Sequence, residues 1–264
     1  MSSAREELLA QLAGRLRAAE ASRLPIDALT DQVADLTIAE AYRVQSINLT
    51  QRLADGETLV GRKIGLTSKA MQEQLGVDEP DVGALTDRMV IAPEEPLDTA
   101  RFIKPRIEAE FAFRLDSDLE GPITIDSVRA SIGTVMLAAE IIDSRIRDWK
   151  IALIDTVADN ASSAAVVVGA EMPATDELLD ALPALRVDLD VDGEVVAFGE
   201  GAAILGHPLE AVLWLANTLA SNGESLKSGD LILAGAVHAS VPLTAGVEYA
   251  VRADALAPLS FRAV

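Results

Sequence analysis

The chain changes character where the spacing of its hydrophobic positions changes. Over residues 3–22, Leu8, Leu9, Leu12 and Leu16 recur at helical spacing, which predicts an amphipathic helix capped by Ser3. Pro25 interrupts, and Thr37-Ile38-Ala39-Glu40 has the form of a capping box, so a second helix is predicted from Thr37 to near Gly56. From Leu59 onward the pattern becomes short β-type runs broken by turn residues. Strands are predicted over 59–65, 86–91, 106–115, 133–142, 163–169, 185–197, 229–235, 246–253 and 258–263. Helices are predicted at 68–75, 126–131, 147–157 and 208–221, the last with Pro208 in its first turn and Gly223 just past its end. Asp192-Gly193 and Ser228-Gly229-Asp230 mark hairpin-like edges. Strands and helices do not alternate regularly, which argues against a doubly wound or barrel fold. The expectation is an α+β protein with a helical region over 1–60 and a β-rich catalytic core over 61–264.

The sharpest alternation lies in Arg106-Ile107-Glu108-Ala109-Glu110-Phe111-Ala112-Phe113. Alternate side chains of a strand face opposite ways, so Ile107, Ala109, Phe111 and Phe113 share an apolar face while Glu108 and Glu110 share the other. Two carboxylates held that close repel unless a cation or a shared proton offsets them. A hard divalent metal suits such oxygen donors. A half-exposed strand with a solvated acidic face explains the same pattern, and the stretch alone leaves both readings open.

Composition narrows the partners. A net charge of -20 and a pI near 4.4 argue against nucleic acid or an anionic membrane. Only 3% of residues are aromatic, so aliphatic side chains must fill the core. The absence of cysteine excludes disulfides and thiolate metal sites. No basic segment leads into an apolar one at the N-terminus, and apolar runs such as 164–169 fall short of the roughly 18 residues that span a bilayer. The reading is a soluble cytoplasmic protein.

Further residues join the candidate chemistry. Glu140 sits in the almost wholly apolar run 133–142, where it is either a third oxygen ligand or a strand-end charge paired among Asp143, Arg145 and Arg147. Lys63, in Gly61-Arg62-Lys63-Ile64-Gly65, is either a surface lysine or a partly buried one whose pKa desolvation lowers. Asp81 belongs to a turn-like Pro80-Asp81-Val82-Gly83, and either faces a site or makes an Asx bond. Ser162 and Ser163 end a polar loop, Asp159-Asn160-Ala161-Ser162-Ser163, that enters an apolar strand. His207 and His238 have no acidic neighbour in sequence, and there is no nucleophile elbow, phosphate loop or dinucleotide fingerprint.

Taken together, these stretches resemble the 2-keto-4-pentenoate hydratase family. The resemblance rests on Gly61 to Ser68, Gln74-Leu75-Gly76-Val77 leading to Pro80-Asp81-Val82-Gly83, Ile107 to Glu110, Ala138 to Arg145, Asp159 to Ser163, Gly206-His207-Pro208, and Trp214-Leu215-Ala216-Asn217. It runs in order from about residue 5 to the C-terminus. It implies a fumarylacetoacetase-like mixed β-roll holding Mg²⁺ or Mn²⁺ through Glu108, Glu110 and Glu140. It further implies Lys63 and Asp81 as catalytic groups, Ser162 and Ser163 as substrate-binding groups, and a small 2-hydroxy-dienoate as substrate. A homopentamer or decamer is implied, with possible association with a 4-oxalocrotonate decarboxylase. Decarboxylases on this scaffold typically read Pro-Ile-Tyr-Gly where this chain has Pro80-Asp81-Val82-Gly83, so Asp81 points to hydration of 2-hydroxypenta-2,4-dienoate or a longer homologue. Val82 departs from the aromatic common there. Decarboxylation, carbon–carbon bond hydrolysis and a non-catalytic scaffolding role are the alternatives.

Overall fold

A computed structural model of the chain describes residues 2–68, 72 and 79–264. Apart from Ser68 and Gln72, the helix predicted at 68–75 lies outside the described residues, as does Gln74-Leu75-Gly76-Val77. Helix α1 (Ser3–Ser22) buries Leu9, Leu12 and Leu16, and its cap is Ser2, one residue earlier than expected, whose hydroxyl accepts from the Arg5 N–H. A single turn, α2 (Leu29–Gln32), leads to α3 (Ile38–Ala54). Thr37 opens α3 with the predicted capping box: its hydroxyl accepts from the Glu40 N–H at 3.3 Å, while the Glu40 carboxylate accepts from the Thr37 N–H at 3.0 Å. Later in the chain come α4 (Ile125–Ser131), α5 (Leu153–Ala158), α6 (Asp176–Ala181) and α7 (Pro208–Ser221). Leu9, Leu12 and Leu16 pack with Ala41 and Val44 of α3 and with Val157 and Ala158 of α5, a cluster drawn from both sides of residue 60. Among the described residues no helix is long and apolar enough to cross a membrane.

The strands are β1 (Leu59–Gly65), β2 (Asp81–Thr86), β3 (Val90–Ile91), β4 (Arg106–Leu115), β5 (Ile132–Ile142), β6 (Ser163–Val168), β7 (Met172–Pro173), β8 (Arg186–Val191), β9 (Glu194–Glu200), β10 (Leu231–Ala236), β11 (Val241–Pro242), β12 (Glu248–Ala253) and β13 (Leu259–Arg262). They form a nine-stranded mixed sheet in the order β2-β1-β10-β4-β5-β6-β3, with β11 beside β4 and β7 beside β5, and a four-stranded sheet β13-β12-β8-β9. Three departures from the sequence reading have local causes. Pro80-Asp81-Val82-Gly83 is not a turn, because Asp81 to Thr86 pair antiparallel with β1, Asp81 opposite Gly65. The run 185–197 folds back on itself at Asp192 and Gly193, both at positive φ (49° and 87°) as a tight hairpin turn requires. The helix expected over 147–157 is broken, because Asp148 and Trp149 take left-handed φ of 56° and 57° before α5 begins. Helix α6, capped by Thr175, was not anticipated.

Both faces of the large sheet are covered. Ile107, Ala109, Phe111 and Phe113 pack on the face shared with Leu209, Val212 and Leu215 of α7, and with Tyr249 and Phe261 of the smaller sheet. On the opposite face, Ala112, Met136, Ala138, Val166 and Leu233 form a second apolar cluster. The face that carries Glu108 and Glu110 is therefore buried, not solvated as one sequence reading had it.

Candidate active site

Strand register brings the candidate residues to one face. Directly paired residues of neighbouring strands point the same way, as do residues two apart along a strand. Lys63 pairs with Leu233, Leu233 with Ala112, and Ala112 with Met136. Glu108 and Glu110 share parity with Ala112, and Glu140, which shares parity with Met136, lies directly opposite Glu108. Asp81 pairs with Gly65, two residues from Lys63. Five polar side chains thus project from one face of four strands. In a flat sheet β1 and β5 would be three strand spacings, about 14 Å, apart. Curvature instead brings Lys63 Nζ to 3.3 Å from Glu140 Oε2.

The carboxylates of Glu108, Glu110 and Glu140 each offer an oxygen within 4.8 Å of the others. Glu140 is fully buried, and neither of its oxygens has a hydrogen-bond partner among the described residues. It is not a strand-end charge: Arg145 pairs with Asp159, and Arg147 with Asp27. Glu110 accepts from the Gly235 N–H at 2.9 Å, where the β10 register shifts. Burial, reinforced by Glu140, pushes Glu108 up to about 7 and Glu110 well above the usual carboxylate range. Burying charge this densely is unfavourable unless protons or a cation offset it. A hard divalent cation fits the three oxygen donors, Glu140 having only the Lys63 ammonium against it and no hydrogen bond among the described residues.

Lys63 is buried, with its ammonium donating to the Ala161 carbonyl at 3.0 Å. Burial disfavours the ammonium, but Glu140, Asp81, Glu108 and Glu110 outweigh it and hold Lys63 above its ordinary pKa. The downward shift expected from desolvation is therefore reversed. Asp81 is also buried, its Oδ1 without a partner among the described residues, and burial raises its pKa against the pull of Lys63. Room for both comes from glycine: a Cβ at Gly65 would lie 2.2 Å from Asp81 Oδ1 and 3.3 Å from Lys63 Nζ.

Lys63, Asp81, Glu108 and Glu110 line a cavity of about 550 Å³, together with Arg106, Trp149, Ile151, Thr156, Ser162 and His238, while Glu140 stays fully buried. Ser162 Oγ lies 3.2 Å from Thr156 Oγ1. Ser163 does not line the cavity. It opens β6 opposite Ile142, with its hydroxyl buried. The sequence reading missed Arg106, although it shares the alternating face of Glu108 and Glu110; the Arg106 guanidinium donates to Ser240 Oγ at 2.6 Å. It also set His238 aside, although His238 lines the cavity. His238 Nε2 accepts from the Ala109 N–H at 3.3 Å, Nδ1 lies 2.9 Å from the Ala239 carbonyl, and burial lowers its pKa. His207 caps α7, its Nδ1 accepting from the Leu209 N–H at 3.0 Å.

A curved mixed sheet with this buried carboxylate cluster on one face is matched by a known family. The chain belongs to the fumarylacetoacetate hydrolase family, whose C-terminal model matches residues 54–263. Within it, the chain is 44% identical over 249 residues to a 2-keto-4-pentenoate hydratase of Burkholderia vietnamiensis, covering 94% of each. It is 43% identical over 235 residues to a 2-hydroxyhexa-2,4-dienoate hydratase of Comamonas testosteroni, covering 88% of each. The structure of 4-oxalocrotonate decarboxylase from Pseudomonas putida G7, complexed with magnesium and adipate, superposes with a TM-score of 0.93 at 38% identity, covering 98% of each chain.

Proposed function

We propose that the protein is a metal-dependent hydro-lyase that adds water to 2-hydroxypenta-2,4-dienoate, or a longer homologue, to give a 4-hydroxy-2-oxoacid. The observation that carries this reading is Asp81, buried beside Lys63 on the carboxylate face of the cavity. The greater identity to the two hydratases than to the decarboxylase supports it. Glu108, Glu110 and Glu140 would hold the metal, and their oxygen donors suit Mg²⁺ or Mn²⁺. When bound, the cation supplies a Lewis acid for the substrate carboxylate and the adjacent 2-oxygen. Lys63 holds its ammonium against that 2-oxygen, stabilising the negative charge of the enolate. Asp81, which lines the cavity and whose buried Oδ1 has no hydrogen-bond partner among the described residues, is the acid–base group for the carbon chain and the incoming water. Ser162 orients the substrate carboxylate.

Hydrolysis of a carbon–carbon bond is disfavoured, since both histidines are committed to backbone groups and, among the described residues, neither pairs with a glutamate. Decarboxylation remains the second reading, on the strength of the decarboxylase superposition. The two are separated by offering the Mg²⁺-loaded protein 2-hydroxypenta-2,4-dienoate and 4-oxalocrotonate. Hydration yields a product heavier by one water, whereas release of carbon dioxide from the second substrate alone would make the protein a decarboxylase. A homo-oligomer, pentamer or decamer, is part of the same proposal. Exposed Val195, Val196 and Phe198 on edge strand β9 offer apolar surface for it. Light scattering that returned 27.8 kDa, the mass of one chain, would contradict it.

A further inference from the structure

The loop between α5 and β6 has a backbone its sequence does not favour. Asn160, Ala161 and Ser162 are consecutive and all left-handed, with φ of 58°, 51° and 56°. L-residues enter that region at a steric cost, alanine and serine without even the side-chain compensation open to asparagine. Such a conformation persists only where the surroundings over-determine it, and here they do. The Arg145 guanidinium brackets the turn, donating to the Asp159 carboxylate and carbonyl at its start and to the Ser163 carbonyl at its end. The Arg145 N–H also donates to Asp159 Oδ2 at 2.9 Å, and the whole pair is buried. The Asn160 amide acts as a strand partner to β2: its Oδ1 accepts from the Ala84 N–H at 2.8 Å and its Nδ2 donates to the Ala84 carbonyl at 3.0 Å. Gly83 leaves space for this approach, since a Cβ there would lie 2.7 Å from the Asn160 carbonyl oxygen and 2.8 Å from Lys63 Cγ. The turn so held delivers the Ala161 carbonyl to Lys63 Nζ and the Ser162 hydroxyl to the cavity.

We infer that Arg145, Asp159 and Asn160 are positioning residues, which hold residues 160–162 in a strained left-handed turn so that the Ala161 carbonyl fixes the Lys63 ammonium for the reaction. The strain has a function: it is the cost of aiming that carbonyl across the cavity wall. The inference rests on the hydratase reading only for its assay, because a fixed Lys63 serves either chemistry.

The test is Ala161→Gly, which adopts the turn without strain and removes no side-chain hydrogen bond, with Asn160→Gly as a second variant that keeps the backbone preference but deletes the amide clamp. Arg145 and Asp159 are left intact, since unpairing either buried charge endangers folding. Thermal melting, hydrogen–deuterium exchange over residues 157–168, and kcat and KM are measured on the Mg²⁺-loaded protein, with whichever of the two dienoate substrates the wild type converts. For Ala161→Gly the expected result is an unchanged or higher Tm, faster exchange in the turn, kcat lower by about tenfold or more, and KM within about threefold. For Asn160→Gly the same kinetic pattern is expected, with a lower Tm. A kcat for both variants within about twofold of wild type would overturn the inference, as would a clear drop in Tm for Ala161→Gly. Wild type that decarboxylates instead of hydrating would refute the hydratase reading and leave this comparison intact.

Discussion

Gly65→Ala probes the site without touching a polar group. A Cβ at residue 65 would sit 2.2 Å from Asp81 Oδ1, and ordinary contact begins near 3.4 Å. The Asp81 carboxylate must therefore retreat by about 1.2 Å, in a site where it is only 2% exposed. Lys63 Nζ, 3.3 Å from the same Cβ, is crowded as well. Overpacking of this kind costs about 1–3 kcal/mol of stability, equivalent to a fall in Tm of a few degrees for a chain of this size. Activity should suffer more, because a reacting group displaced by about 1 Å can lose about 10²-fold in rate. The helix residue Gly14 is the control: its added Cβ meets only the flexible end of Arg17 at 3.8 Å, so Gly14→Ala should keep kcat and gain up to about 1 kcal/mol. Circular-dichroism melts and steady-state kinetics on the two variants suffice. If Gly65→Ala retained kcat within about threefold of wild type, Asp81 would not be poised where the reaction needs it.

Lys63→Met should retain metal binding but lose two to four decades in kcat, or about 3–5 kcal/mol of transition-state stabilisation; Lys63→Arg should not rescue it, because the guanidinium fork differs in shape. Near-normal turnover in Lys63→Met would leave Asp81 as the remaining acid–base candidate. Glu140→Gln should keep the fold and weaken Mn²⁺ binding sharply, since it replaces a charged donor that has no other hydrogen-bond partner among the described residues; wild-type affinity in a calorimetric titration would remove it from the site. Metal affinity should rise with pH through about 7, because Glu108, pushed up to about 7, and Glu110, also raised by burial, must release their protons to bind. The corresponding stability effect has a definite sign. A carboxyl raised in the folded state holds more protons folded than unfolded, so the metal-free protein should lose stability as pH rises from 4.5 to about 7. Saturating Mg²⁺ should reverse that trend, and pH-dependent melts with and without metal would show whether it does.

Much of the site was legible because period-2 alternation is a strong signal. It put Glu108 and Glu110 on one face, and the apolar context of Glu140 marked that residue as unusual. Whether that face was solvated stayed open, because sequence does not reveal that Ala112, Met136 and Leu233 gather on it into a second buried apolar cluster. Asp81 looked like a turn residue since Pro and Gly flank it. Its place in β2 depends on pairing with β1, which local propensity does not contain. The sign of the Lys63 shift was also a tertiary matter: desolvation follows from burial, but four carboxylates converge on Lys63 only through sheet curvature. Arg106 was within reach, two residues before Glu108 on the same face. The left-handed turn at 160–162 was not, because the Arg145 bracket and the Asn160 clamp act across long stretches of chain.

Under the proposed function, water is added to the substrate's carbon chain at a metal held by Glu108, Glu110 and Glu140. The most direct measurement is turnover of 2-hydroxypenta-2,4-dienoate in water enriched with heavy oxygen, with Mg²⁺ present and then removed by chelation. The expected product is a 4-hydroxy-2-oxoacid carrying the heavy oxygen at C4, formed only with metal and lost in Glu140→Gln. An unlabelled or decarboxylated product, or hydration that survives chelation, would contradict it.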